Sequence, residues 1–509
     1  MTSELRVLAA NVLCVGFQDA TLTDQTESTL HALQPGAVIL FSRHTASFSE
    51  TRALTDRLRL LLGEGAPPVI GVDQEGGRVA RLRDGVDEFP SMMAVSATGD
   101  TALARRAGQR IALDLRRAGF NLNFGPVLDI AAHQQNTVIG ARAFSDDPQT
   151  VIQFGGAVAA GMESAGVVAT YKHFPGHGST AIDSHLASPR IESSQAQLRL
   201  RDLVPFAALL PRARAVMTAH IVVAAFDAAN PATTSSAILT ELLRHELKFK
   251  GACFTDCMHM DAISKSIGTP QGAVQALAAG ADCVSITQHL SVALEAVDCI
   301  VAAVERKELP LRRLEEAANR MSTLREGLQP PLDAPRADDA VGIQIARRAI
   351  TLVRGSMELR GSDLDVVSFQ GSTIEGVAGK REVHASLADA LRRRGARAVE
   401  RNLPLEPSLD DVCAVIADVA ASETSVVILT RRAHIYERQG QAVHALLRAF
   451  PSALLISMRE PFDVQLFGEA VNVACAYDDE SVSIAALADL LSGGERASGT
   501  FPVELSTAR

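Results

Sequence analysis

Residues 171–185 read Tyr-Lys-His-Phe-Pro-Gly-His-Gly-Ser-Thr-Ala-Ile-Asp-Ser-His, and they gather most of the chain's proton-transfer chemistry. Lys172 and His173 end a short β-branched run, Gly166-Val-Val-Ala-Thr170, that reads as a buried strand. A Pro-Gly turn and a Gly-rich, hydroxyl-bearing loop follow, and these continue neither a helix nor a strand. The loop delivers Asp183 and His185, two residues apart. A carboxylate that near to an imidazole can hold one ring nitrogen and leave the other to move a proton. Two other readings stand beside this one. His173, His177, Asp183 and His185 could ligate a metal ion, although Lys172 would then set a cation beside it. The segment could also be a structural loop whose histidines are simply hydrogen-bonded.

Three further segments carry groups of the same kind. Val72-Asp-Gln-Glu-Gly-Gly-Arg-Val-Ala-Arg81 follows a strand, and its glycines allow a ligand close to the backbone. Asp73 can accept hydroxyls and Arg78 or Arg81 can donate a planar fork; the alternative is a strand-end turn closed by a surface salt bridge. The loop Asn136–Pro148 offers Arg142, either to a pocket or to solvent. Gly251–Asp261 puts Asp256 at a strand end, where a carboxylate can attack an anomeric carbon and form a covalent intermediate. Asp261 is expected to cap the next helix, His259 to pack locally, and Cys257 to react only if its pKa is depressed.

These groups need elements to hold them. Strand candidates are Ala37–Phe41, Val69–Val72, Phe120–Phe124, Val167–Thr170, Ala215–Thr218, Ala252–Thr255 and Cys283–Ile286. Helical stretches fall between them at Glu50–Leu62, Thr101–Ala118, Pro148–Ala165 and Leu239–Lys248. Such alternation means βαβ units and a parallel sheet. Seven or eight units fit a (β/α)8 TIM-type barrel better than an open sheet. The carboxyl ends of barrel strands form one face, which makes Asp73, Lys172, His173, His220 and Asp256 neighbours. A Pro-rich stretch from Gly327 to Asp339 reads as a linker, followed by a helix at Ala340–Ile350. A second α/β pattern then has strands at Leu364–Ser368, Ser425–Thr430, Ala453–Ser457 and Val471–Cys475, covered by helices at His434–Ala449 and Ser481–Leu491. It carries no catalytic constellation. The organisation is therefore a catalytic barrel over 1–327, a linker over 328–345 and a smaller α/β sandwich domain over 346–509.

Composition narrows the function classes. A net charge of −10 argues against a nucleic-acid surface, and no apolar run approaches a membrane span. The first residues lack a basic region followed by an apolar one, so no signal peptide is read. Seven cysteines without close pairs read as reduced thiols of a cytoplasmic protein. The chain has no tryptophan, which weighs against a lectin-like module more than against an enzyme with a small polar pocket.

The motifs together resemble family 3 glycoside hydrolases, in their β-N-acetylglucosaminidase branch. The resemblance rests on Asp73-Gln-Glu-Gly-Gly-Arg-Val-Ala-Arg-Leu82, Gly125-Pro-Val-Leu-Asp129, Val138-Ile-Gly-Ala-Arg142, Lys172-His-Phe-Pro-Gly-His-Gly178, Asp183-Ser-His185, Met217-Thr-Ala-His220 and Phe254-Thr-Asp256. It covers most of residues 1–330 in order, and Ser498-Gly-Thr-Phe-Pro-Val503 looks like the close of the family's second domain. It implies Asp256 as nucleophile and His185, paired with Asp183, as acid/base. It implies sugar binding by Asp73, Arg81, Arg142, Lys172 and His173, with His220 beside them, and no metal or organic cofactor. The expected activity is that of a retaining exo-β-N-acetylglucosaminidase, a β-N-acetylhexosaminidase acting on small GlcNAc-terminated glycans such as peptidoglycan or chitin fragments. A phosphorylase using phosphate as acceptor and a non-catalytic sugar-binding protein are the alternatives. Three positions depart from the family pattern: Ala141 before the loop arginine, Ser179 after His-Gly, and Cys257 after the nucleophile.

Overall fold

The computed structural model describes residues 2–63, 67–180, 189–337, 339–359, 363–371, 385–422, 424–494 and 496–505. Eight strands close into a barrel: β1 Leu13–Val15, β2 Ala37–Leu40, β3 Val69–Val72, β4 Leu122–Asn123, β5 Val168–Phe174, β6 Ala215–Thr218, β7 Ala252–Cys257 and β8 Cys283–Ile286. Neighbouring strands are parallel, and β1 pairs with both β2 and β8 to complete the ring. The stretch expected to be helical at Leu239–Lys248 is a helix over Ala237–Glu246, wound in the wide π form.

The period-2 alternation of each strand sorts its side chains. Ala37, Ile39, Val69, Val168, Ala215, Met217, Ala252 and Phe254 join one buried cluster inside the ring. Phe124 and Phe254 meet edge to face there, with centroids 5.6 Å apart. Met321, Leu324 and Leu328 belong to the same cluster and plug its amino-terminal end. The intervening residues Val38, Ile70, Val72, Ala169, Tyr171, Val216 and Cys253 pack outward with the helices. Continuing the alternation past Val69 and Gly71 turns Asp73 to the axis, while Asp256 stands at the same mouth, in the irregular stretch of β7 between Phe254 and Cys257 where the pairing register shifts. Lys172, four residues after Val168, falls on the same parity as Asp73. Three charged groups thus stand at the barrel mouth.

Beyond the barrel, six strands form a second sheet: β9 Thr351–Arg354, β10 Asp363–Gln370, β11 Arg397–Pro404, β12 Ser425–Thr430, β13 Leu454–Ser457 and β14 Asn472–Cys475. Its order is β9-β14-β13-β12-β10-β11, with β9 antiparallel to β14 and the other pairs parallel. Alternate residues of β10, β12 and β13 feed two apolar layers. Leu364, Val366, Val427, Leu429 and Ile456 pack with helices Leu387–Arg392 and Ser481–Leu491. Val367, Phe369, Ile428 and Leu455 pack on the other face with helix Glu437–Ala449. That second layer also takes in Met93, Val127, Val138, Ile139 and Ala141 of the barrel loops, so one apolar core runs across the boundary. Helix Val341–Ala349 supplies Val341 and Ile345 to the barrel's outer core and Ala346 to the sheet's. Among the described residues, no helix is long and apolar enough to cross a membrane.

Candidate active site

At the mouth of β3 the chain turns through a small antiparallel ribbon, Gln74–Gly76 with Val79–Ala80. The Gln74 side chain stitches this ribbon: its amide donates to the Leu82 carbonyl at 2.7 Å and its oxygen accepts from the Arg81 and Leu82 amides at 2.9 and 3.0 Å. Asp73 and Glu75 flank it on either side in sequence.

Lys172 binds both of these carboxylates. Its Nζ lies 2.7 Å from Asp73 Oδ1 and 2.5 Å from Glu75 Oε1. Glu75 also accepts a two-pronged contact from Arg142, Nε to Oε2 and Nη2 to Oε1, each at 2.8 Å. Burial works to raise the Glu75 pKa, but Arg142 and Lys172 outweigh it and hold the carboxyl well below the usual range. Arg142 reaches His173 Nε2 at 3.4 Å and donates to the Val138 carbonyl at 2.9 Å. Arg81 Nη2 stands 3.9 Å from Asp73 Oδ2. Of the two arginines read as ribbon donors, Arg81 therefore faces Asp73. Arg78 is set among Arg432, Arg459, Glu460 and Asp479 at the boundary with the second sheet.

Asp129 organises His173 and His177. It accepts the His173 ring Nδ1 at 2.6 Å and the His177 amide at 2.6 Å. Burial would raise its pKa, yet His173 and His177 bring it below the usual value. With Nδ1 engaged by Asp129, His173 Nε2 is the nitrogen turned to Arg142. His177 is buried, meets the Thr180 hydroxyl at 3.0 Å, and burial pushes its ring pKa down to about 4. Gly178 passes so near the Ile130 carbonyl that any side chain would collide with it. Asp183 and His185 lie outside the described residues.

Asp256 ends β7 half-buried, its Oδ1 accepting the Cys257 amide at 2.7 Å. The Cys257 thiol meets the Thr287 hydroxyl at 2.8 Å, and burial raises its pKa, so no thiolate competes with the carboxylate. His220 is buried behind Asp256: Nε2 faces the Cys257 carbonyl at 3.0 Å and Nδ1 the Thr233 hydroxyl at 2.8 Å. These contacts fix the backbone just after Asp256. Asp261 is the first residue of helix Asp261–Ser264, with Met260 at the capping position, and its carboxylate pairs with Lys265 at 2.6 Å.

Sequence reasoning passed over Glu75 and Asp129, although both stand inside quoted motifs. Asp73-Gln-Glu75 offered two carboxylates of the same strand parity, but the barrel strand stops at Val72, and it is the ribbon turn that brings both onto one lysine. Asp129 sits six residues past Asn123, beyond the reach of a strand-end rule. Its signal was the Gly125-Pro126 turn next to a lone buried carboxylate.

The geometry defines a (β/α)8 barrel with a paired carboxylate and cation cluster at the carboxyl end of its strands. Residues 4–324 match the model of the glycosyl hydrolase family 3 N-terminal domain. The chain is 39% identical over 284 residues to the beta-hexosaminidase of Alkalilimnicola ehrlichii, covering 54% of this chain and 80% of that protein. It is 28% identical over 549 aligned residues to beta-hexosaminidase A of Pseudoalteromonas piscicida, covering 96% and 92%. The solved family 3 β-N-acetylglucosaminidase of Paenibacillus sp. str. FPU-7 superposes with a TM-score of 0.91 at 30% identity, covering 99% of each chain. The chain belongs to glycosyl hydrolase family 3.

Proposed function

We propose that this chain is a retaining exo-β-N-acetylglucosaminidase that releases terminal GlcNAc from small glycans. The observation that carries this reading is the Asp73–Lys172–Glu75–Arg142 cluster set beside His173, on the barrel face that also bears Asp256. A sugar ring presents hydroxyls that both donate and accept. The cluster offers acceptors on Asp73 and donors on Lys172, Arg142, Arg81 and His173, with their directions already fixed by mutual contacts. The names of the family relatives and of the Paenibacillus enzyme support the same substrate class.

In the first step Asp256 attacks the anomeric carbon as the glycosidic C–O bond breaks. His185, oriented by Asp183, gives its proton to the leaving oxygen. In the second step His185 takes a proton from water while that water's oxygen attacks the same carbon, releasing Asp256 and restoring the β configuration. We assign catalysis to residues 1–327 and a supporting role to residues 346–509, joined through 328–345. The seven unpaired cysteines support a reducing, cytoplasmic setting, with peptidoglycan or chitin fragments as substrates. The test is product analysis from GlcNAc disaccharides and muropeptides, with and without phosphate. Free GlcNAc in both arms is expected; GlcNAc-1-phosphate in the phosphate arm would make the protein a phosphorylase.

A further inference from the structure

The loop of residues 134–142 leads into Arg142, and it is gripped from the second sheet at three points. Glu460, just past β13, accepts the Ala141 amide on Oε1 at 3.3 Å. Arg432, just past β12, donates to the Thr137 carbonyl at 3.2 Å. His434 Nε2 meets the Gln134 carbonyl at 3.1 Å. Glu460 and Arg432 hold each other through a two-pronged contact at 2.8 and 2.9 Å, and both are buried. Gly140 adopts φ +44°, and a side chain there would run into the Glu460 carboxylate, so the backbone of the loop is fitted to that group. Beneath these polar contacts Val138, Ile139 and Ala141 share an apolar cluster with Phe462 and Val464 of the sheet domain.

From these contacts we infer that Glu460 and Arg432 are positioning residues for sugar binding, acting across the boundary through the loop that carries Arg142. The inference rests on the proposed role of Arg142 in holding the sugar. Arg142 must meet Glu75 with both prongs and stand beside His173 at once, which leaves little room for the loop to drift. Among the described residues, Met93, Ala94 and Ala97 of the barrel loops give the loop apolar support, and the sheet domain adds the polar grip of Glu460, Arg432 and His434. The loop also props the start of the segment that leads to Asp183, since Asn136 Nδ2 donates to the His177 carbonyl at 3.0 Å.

The test compares Glu460→Gln, Arg142→Ala and their combination on an aryl β-GlcNAc substrate, with melting temperature recorded for each. Glu460→Gln should raise KM about tenfold and leave kcat within about threefold, the pattern of a lost binding contact. The double variant should be no worse than Arg142→Ala alone, because both changes act through one side chain. An unchanged KM for Glu460→Gln, or losses that multiply in the double variant, would overturn the inference. A wild-type KM for Arg142→Ala would remove Arg142 from sugar binding and overturn the reading beneath it. If Glu460→Gln does not fold, Arg432→Lys keeps the charge, loses the two-pronged contact, and carries the same expectations.

Discussion

Glu75→Gln removes one charge from the centre of the Asp73–Lys172–Glu75–Arg142 cluster. Glu75 is buried and is the shared partner of two buried cations. Lys172 keeps Asp73 at 2.7 Å after the change, whereas among the described residues Arg142 keeps the Val138 carbonyl, the His173 edge and the longer-range attraction of Asp129 and Asp73. Arg142 therefore loses both of its charge-assisted bonds to a carboxylate. Breaking a buried pair from one side costs about 3–5 kcal/mol, and the amide oxygen of glutamine recovers part of it, so a loss of roughly 3 kcal/mol is expected. Guanidinium unfolding measures it, and steady-state kinetics on an aryl β-GlcNAc substrate should show KM raised about tenfold as Arg142 loosens. The pH dependence adds a check. The folded carboxyl is depressed, so its contribution is present above the ordinary carboxyl pKa and lost as pH falls through the folded value. The stability gap between wild type and variant should stay flat from about pH 8 to about pH 5 and narrow only in stronger acid. A gap under ~0.5 kcal/mol together with an unchanged KM would refute the view that Glu75 holds the pair of cations.

Further outcomes follow from the same geometry. Asp256→Ala should cut kcat by about four orders of magnitude or more on aryl β-GlcNAc, as expected when a nucleophile is removed; near wild-type turnover would end its assignment. His185→Ala should lose far less activity on substrates with good leaving groups than on poor ones, and equal losses would count against the acid role. His434 lies between Asp463, at 2.6 Å, and the Gln134 carbonyl; burial lowers its pKa, but Asp463 and Glu460 outweigh that and raise it. Its stabilising contribution is then full below the ordinary histidine pKa and lost as pH rises through the folded value. Wild type should exceed His434→Gln in stability by more at about pH 6 than at about pH 9, and a gap that grows with pH would contradict this.

The barrel was legible because buried parallel strands are continuous apolar runs, and seven of its eight were read directly. β1 was missed because Leu13–Val15 is three residues long and follows the helix Thr2–Asn11, whose apolar residues hide it. In the second sheet β11 was missed for the opposite reason. It is an edge strand reading Arg-Ala-Val-Glu-Arg-Asn-Leu-Pro, with charged and exposed positions and no apolar run. β9 is a short antiparallel strand placed by its pairing with β14, which no local pattern records. Candidate site residues at strand ends were readable by position: Asp73, Lys172 and Asp256. Glu75 and Asp129 take their places through a ribbon turn and a loop, so their partners are set by tertiary contacts. The grip of Arg432 and Glu460 on the Arg142 loop joins residues some three hundred positions apart, and neither half of that contact has a motif of its own.

The central claim is that Asp256 carries the sugar between the two steps. The most direct measurement is peptide mass spectrometry after reaction with a fluorinated, activated β-GlcNAc donor whose glycosyl-enzyme turns over slowly. One glycosyl adduct is expected, on the peptide containing Asp256, at the Asp256 carboxylate. An adduct on Asp73 or Glu75, or turnover of the donor with no adduct at any stage, would contradict it.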